Sequence, residues 1–161
     1  MDFQLKVFVP APIDEVFDFL DEPANMLGLG GHAAEHAAGI EVVDADPDGR
    51  RTFDLRMRAG RREWTQTVRQ VIRERPTRLV TEGWTWLDDR NDPYLAVTND
   101  RRLRVEDGAT RVDVNIRYEL RRRSLIGSAL NWLQRGHVRT ELEHTLHFLA
   151  EHFASRDIPQ R

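Results

Sequence analysis

The chain contains no cysteine, which excludes disulfides and thiolate metal sites alike. Lysine is nearly absent too: Lys6 is the one lysine among 24 basic side chains, and the rest are arginine. No run of about 18 apolar residues occurs, so no membrane-spanning helix and no stable membrane insertion are expected. The opening stretch MDFQLKVFVPAP lacks the basic flank, apolar segment and small-residue cleavage site of a secretory signal, and a cytoplasmic location is the expectation. Arginine forks suit phosphate oxygens. Here, however, the formal net charge is −3, and Arg50–Arg51, Arg61–Arg62 and Arg101–Arg102 are scattered along the chain. A coding bias towards Arg, Ala, Gly and Asp accounts for them, and nucleic acid is not an expected partner.

What the chain does have is a regular alternation. At 161 residues it suits a single domain, residues 1–161, large enough to bury a core or enclose a cavity. Phe3, Leu5, Val7 and Val9 follow the two-residue period of a strand with one buried face. Pro10 and Pro12 end it, and Ile13, Val16, Phe17 and Leu20 then fall at helical spacing, with Asp14 and Glu15 favouring the positive helix end. Residues 25–39 read as a short helix or loop. From Ile40 the chain alternates steadily, with turns at Pro47-Asp48-Gly49, Gly60, Arg75-Pro76-Thr77 and Glu106-Asp107-Gly108. Trp64, Gln66, Val68, Gln70 and Ile72 are expected to share one face. These short connections predict an antiparallel meander. Residues 124–155 read as helix, with one apolar stripe at Ile126, Leu130 and Leu133 and another at Val138, Leu142, Leu146, Leu149 and Phe153. The change of side near Gly136 predicts a kink, a break or a short leading segment there.

Strand, one or two short helices, meander and long helix fit one α+β arrangement, the helix-grip: a curved antiparallel sheet of about six or seven strands around a C-terminal helix. Specific stretches support it. FVPAPIDEVFDFLDEPANM resembles the opening strand and helix of the START-related helix-grip superfamily (SRPBCC), especially its polyketide cyclase/dehydrase-like branch. ERPTRLV is similar to that family's proline turn before a middle strand, and DGATRVDVNIRYEL to its penultimate hairpin and last strand. SLIGSALNWLQRGHVRTELEHTLHFLAEHF is similar to its C-terminal helix. The resemblance covers nearly the whole chain and implies a cavity between sheet and helix, with little shared catalytic machinery. One departure is LGLGGHAAEHAAG, where the family often carries a tryptophan.

That departing segment contains GHAAEH, of the form H-x-x-E-H. A catalytic zinc site of this form needs a sustained helix, a downstream carboxylate ligand and an open coordination position. Gly30, Gly31 and Gly39 leave about two turns of helix at most, and glycine disfavours helix interiors by about 1 kcal/mol relative to alanine. The acids downstream, Asp44, Asp46 and Asp48, fall on a strand and a turn. His32 and His36 are therefore expected at a cavity mouth, and no metal site is predicted. His144, His147 and His152 on the final helix flank the leucine stripe and are expected at its solvated boundary.

Candidate binding residues come from the face that grips the helix. Alternation places Gln66 and Gln70 beside Trp64 and Val68, Asn99 and Arg101 beside Val97 and Leu103, and Tyr118 beside Ile116 and Leu120. An inward arginine is costly unless paired or hydrogen-bonded. In one reading Arg101 pairs with an acid such as Glu82 or Glu141, or escapes at the sheet's rim. In the other, Arg101, Asn99, Gln66 and Tyr118 supply a few polar contacts in an apolar cavity. Trp64, Trp84 and Trp86 lie on adjacent strands and form either an aromatic wall suited to ring compounds or plain core filling.

Two functions follow. The first is a carrier or sensor that binds a small apolar or aromatic molecule (polyketide-, quinone- or lipid-like) in the cavity. The second is a cyclase or dehydrase working without a cofactor in the same cavity, with Tyr118 donating a proton and Arg101 stabilising an enolate. A lipid- or quinone-binding helper of a membrane complex is a third variant, and a homodimer stays open. No nucleophile–base pair, phosphate-cradling glycine loop or paired-carboxylate site is present.

Overall fold

The computed structural model describes residues 1–25, 37–86, 95–120 and 125–157. Strands β1 (Asp2–Val9), β2 (Ala37–Ala45), β3 (Arg51–Ala59), β4 (Arg62–Glu74), β5 (Arg78–Trp86), β6 (Leu95–Glu106) and β7 (Ala109–Leu120) form a single sheet. Their order is β1-β7-β6-β5-β4-β3-β2, and each adjacent pair is antiparallel. Helix α1 (Ile13–Asp21) follows β1, and helix α2 (Leu125–Ala154) follows β7. The expected α+β helix-grip arrangement is what the chain adopts, with seven strands. Turn chemistry explains the tight hairpins. Asp107 and Gly108 between β6 and β7 have φ of 53° and 79°, the left-handed pair whose twist matches that of the flanking strands.

The inner face of β1, β5, β6 and β7 carries the main core. Val9, Leu79, Leu103, Val112, Val114 and Ile116 meet Val16, Phe17 and Leu20 of α1 and Leu149 and Phe153 of α2. The helical spacing of Leu142, Leu146, Leu149 and Phe153 is what turns one side of α2 onto this sheet. Burying a leucine such as Leu149, which is 1% exposed, contributes about 1.5–3 kcal/mol. A second cluster, Phe53, Leu55, Met57 and Val68 with Ile40 and Trp64, covers the far end of the sheet on β2, β3 and β4.

Three sequence expectations change. Helix α2 runs through Gly136 as one helix, which removes the break and the separate leading segment from the three expectations there, a kink, a break or a short leading segment. A single glycine costs about 1 kcal/mol in a helix, less than breaking the hydrogen-bond ladder, and the Thr140 hydroxyl also donates to the Gly136 carbonyl at 3.1 Å. Ile72 does not share the face of Val68 and Gln70. The register shifts between Gln70 and Ile72, so Ile72 pairs with Val80 and Arg73 with Leu79. This bulge turns Ile72 over and brings Arg73 to the inner face. Trp84 also leaves the expected aromatic wall. It pairs with Thr67 and Ala96, whereas Trp64 pairs with Met57 on the face of Leu55 and Gln66. Side chains alternate across a strand, so Trp64 and Trp84 stand on opposite faces of the sheet. The backbone of Trp86 pairs with Thr65, in phase with Trp84.

The bulge creates a polar anchor that periodicity does not announce. Asp21, 7% exposed at the end of α1, accepts hydrogen bonds from Arg73 Nη2 at 2.8 Å and from Gln70 Nε2 at 3.0 Å. Arg51 donates to the Asp21 carbonyl and its Nη1 lies 3.2 Å from Glu22. A carboxylate at a helix C-terminus opposes the macrodipole; the two guanidinium groups offset this and tie α1 to β3 and β4. On the opposite face many arginines pair with acids, such as Arg56 with Glu41 at 2.7 Å and Arg78 with Asp100 at 3.1 Å.

Candidate functional site

Between the inner face of the sheet and α2 lies a cavity of about 70 Å³. By the measure in which one water needs about 10–15 Å³, it has room for about five or six water-sized groups. Its walls are largely aliphatic: Leu5 of β1, Val112, Val114 and Ile116 of β7, Leu20 of α1, and Leu142, Leu146 and Leu149 of α2. Three lining residues are polar, Asn99 and Arg101 of β6 and Thr145 of α2.

Register explains why β6 supplies the polar pair. Asn99 lies opposite Ile116 and Arg101 opposite Val114, so their even spacing puts both on the buried face of β7. Neither acid considered for Arg101 reaches it. Glu82 pairs with Arg69 and Thr98, out of phase with Leu79, Thr81 and Gly83, and so faces away from the cavity. Glu141 of α2 forms no ion pair with Arg101 among the described residues. Part of Arg101 remains reachable from the cavity, yet its guanidinium lies deep enough that lost hydration alone pushes the pKa down to about 10. It therefore stays cationic at neutral pH.

Its neighbours have spare acceptors. Asn99 Oδ1 is buried and has no hydrogen-bond partner, a state that costs about 1–3 kcal/mol if nothing bonds to it. Thr145 spends its hydroxyl proton on the Glu141 carbonyl at 2.9 Å, leaving its oxygen able to accept. An aliphatic cavity is thus lined by one cationic residue with several donors and by two residues that carry neutral acceptors.

The remaining expected binding residues stand elsewhere. Trp64 packs on the Phe53–Val68 cluster. Gln66 lies across Gly83, where an added Cβ would sit 3.3 Å from Gln66 Nε2. Both are on the inner face but at the β3–β4 end, outside the cavity lining. Tyr118 shares the inner face, pairs with Val97, and meets Phe3 edge-on with ring centroids 5.9 Å apart. Burial pushes its phenol pKa up, so it remains protonated at neutral pH. Of the expected residues whose side chains are described, only Asn99 and Arg101 come together at the cavity. The leucines of α2 were legible as core; what the sequence reading missed is Thr145, whose place in the stripe between Leu142 and Leu149 was the available signal.

Among the histidines, His32 and His36 lie outside the described residues. His144 and His147 are exposed, with His147 Nε2 3.1 Å from Glu151. His152 differs: its ring packs against Phe19 at 4.6 Å, its Nε2 is buried without a partner, and burial, then Arg156, lowers its pKa. No group of three or more metal-ligating side chains occurs among the described residues.

A larger concavity, about 360 Å³, opens on the opposite face around Glu74, Thr77, Arg78, Arg102 and Arg104. It is a shallow groove, and its arginines already pair with Asp100, Glu106 and Asp113. Among the described residues no buried unpartnered atom lines it, so the smaller cavity is the better site.

No known family model matches the chain, and no curated protein matches it in sequence. Solved structures do. A conserved protein from Geobacillus kaustophilus superposes with a TM-score of 0.71 at 9% identity, over 96% of both chains. Ara h 8.0201 gives 0.67 at 11% identity, over 96% of this chain and 98% of its own. The di-domain ARO/CYC protein BexL, from the BE-7585A biosynthetic pathway, gives 0.65 at 21% identity; the match covers 95% of this chain and half of BexL. These likenesses establish the fold, a helix-grip. No helix among the described residues is long and apolar enough to cross a membrane.

Proposed function

We propose that this helix-grip chain binds a small, largely apolar ligand between its sheet and α2, as a carrier or sensor. One observation carries the reading: cationic Arg101 and Asn99, whose buried amide oxygen is unsatisfied, line the same aliphatic cavity, with no protein partner for either group among the described residues. Natural interiors rarely leave such groups unpaired, and ligand sites are typically apolar pockets with a few polar groups that fix orientation. The cavity's size favours a small compound. Fused-ring or lipid-like ligands need sites of about 300 Å³ or more, so polyketide- or quinone-sized molecules require α2 to move outward.

An enzymatic reading draws on Tyr118, whose protonated hydroxyl stands on the same face two residues beyond Ile116. A cyclase or dehydrase would then lose turnover in Tyr118→Phe while keeping ligand affinity.

Binding is tested by calorimetric titration with 3-methylbutan-1-ol, a neutral probe short enough for the cavity, because Trp64 and Trp84 stand away from it and would report poorly. Saturable heat is expected, with a melting temperature that rises with probe concentration, since a ligand of the folded state stabilises it by mass action. Leu142→Trp places a ring in the cavity and should abolish the signal. Undiminished saturable binding in that variant, or none in the wild type, would refute the reading.

A further inference from the structure

The polar groups of the cavity specify more than apolarity. We propose that the site is built for the head of a short hydroxy-carboxylic acid, its carboxylate seated on Arg101 and its hydroxyl donating to Asn99 Oδ1. The inference rests on the binding reading above and narrows it to a substrate class.

Complementarity leads there in three steps. Arg101 offers a planar fork of N–H donors and a charge that no described acid neutralises, and a carboxylate matches both in one bidentate contact. Asn99 Oδ1 is an acceptor without a donor. A bare carboxylate does not serve it, because two acceptors repel; the ligand must bring an O–H or N–H as well. Thr145 Oγ1, its own proton held by the Glu141 carbonyl, can accept from a donor as well, although it is already satisfied. The choice between hydroxyl and ammonium is electrostatic. A ligand ammonium would put a second cation in a low-dielectric cavity beside Arg101, facing only a neutral amide and a neutral hydroxyl. A hydroxyl carries no such penalty.

Distance and volume fit this head. Asn99 and Arg101 are separated by two residues on one strand face, about 6.6 Å along the strand at about 3.3 Å per residue. Both line the one cavity, a spacing that suits a hydroxyl and a carboxylate on the same or adjacent carbons. A cavity of about 70 Å³ then accepts a short branched tail among Leu142, Leu146 and Val114, but no ring system.

Four probes of nearly equal shape test the assignment by calorimetric titration: 2-hydroxy-3-methylbutanoate, 3-methylbutanoate, valine and 3-methylbutane-1,2-diol. The hydroxy acid should bind best. Loss of its hydroxyl should weaken binding about 5- to 20-fold and loss of its carboxylate about 30-fold or more, in line with neutral and charge-assisted hydrogen bonds respectively. Valine should bind weakest of the three acids. Asn99→Leu should make the hydroxy and deoxy acids equivalent, and Arg101→Met should remove the preference for acids over the diol. Equal affinity for hydroxy and deoxy acids in the wild type, or an acid preference that survives Arg101→Met, would overturn the proposal. So would failure of all four probes while 3-methylbutan-1-ol still binds, an outcome that spares the cavity reading. If that alcohol fails as well, both fall together.

Discussion

Replacing Arg101 with methionine tests whether the guanidinium is held at an energetic cost. A drop in pKa to about 10, well below the ordinary range of a guanidinium, corresponds to about 3 kcal/mol of unfavourable burial at about 1.4 kcal/mol per decade. Desolvation is its sole cause, so no ion pair is lost when the charge is removed. Methionine keeps most of the aliphatic stem, and the packing forgone is about 1 kcal/mol. The variant should gain about 1–2 kcal/mol, or about 2–8 °C in melting temperature for a chain of this size. Urea unfolding read by far-ultraviolet circular dichroism measures the gain. The pH dependence supplies a second check. Folded Arg101 holds its proton less tightly than unfolded Arg101, so the wild type bears the full penalty below pH 10 and sheds it as pH rises through and above 10. The advantage of the variant should therefore shrink at strongly alkaline pH. A loss of about 3 kcal/mol or more, the mark of a broken buried pair, would show that Arg101 has a partner and refute the reasoning.

Asp21→Ala leaves Arg73 and Gln70 without their shared acceptor and should lower stability by about 3 kcal/mol; urea unfolding within 0.5 kcal/mol of wild type would deny the anchor its role. For His152, burial lowers the folded-state pKa, so its contribution is complete above the ordinary value of about 6.5 and is lost as pH falls below it. Thermal unfolding from pH 7.5 to 5 should show that decline, and His152→Phe should flatten it. Gly136 is exposed, with nothing within 4 Å of an added Cβ; Gly136→Ala should add about 1 kcal/mol to a continuous helix, and a loss of stability would argue for a break there.

Much of the fold was legible because local chemistry and global arrangement agree. Alternation in β1, β6 and β7 predicts their inner faces, since a two-residue period leaves only one register that buries the apolar set. Asp107-Gly108 predicts a tight hairpin because few residue pairs adopt positive φ twice. The leucine stripe of α2 predicts which side meets the sheet. Within the candidate site, Asn99 and Arg101 were legible for the same reason, as polar residues in phase with Val97 and Leu103.

Other features belong to the tertiary structure alone. Trp64 and Trp84 look adjacent in the sequence of strands, but whether two strands' residues share a face depends on pairing register, which neither strand carries by itself. The bulge after Gln70 swaps Ile72 for Arg73 on the inner face; a one-residue slip inverts every later position, and alternation read from one strand cannot locate it. Asp21, Gln70, Arg51 and Arg73 are far apart in the chain and form an anchor only when α1 crosses β3 and β4. The cavity was decided last. Side-chain types announced an interior, but whether Arg101 would find Glu82, Glu141 or neither depended on which sheet face Glu82 occupies and how α2 is rotated. Periodicity determines which residues leave water, and packing in three dimensions determines which of them then lack a partner.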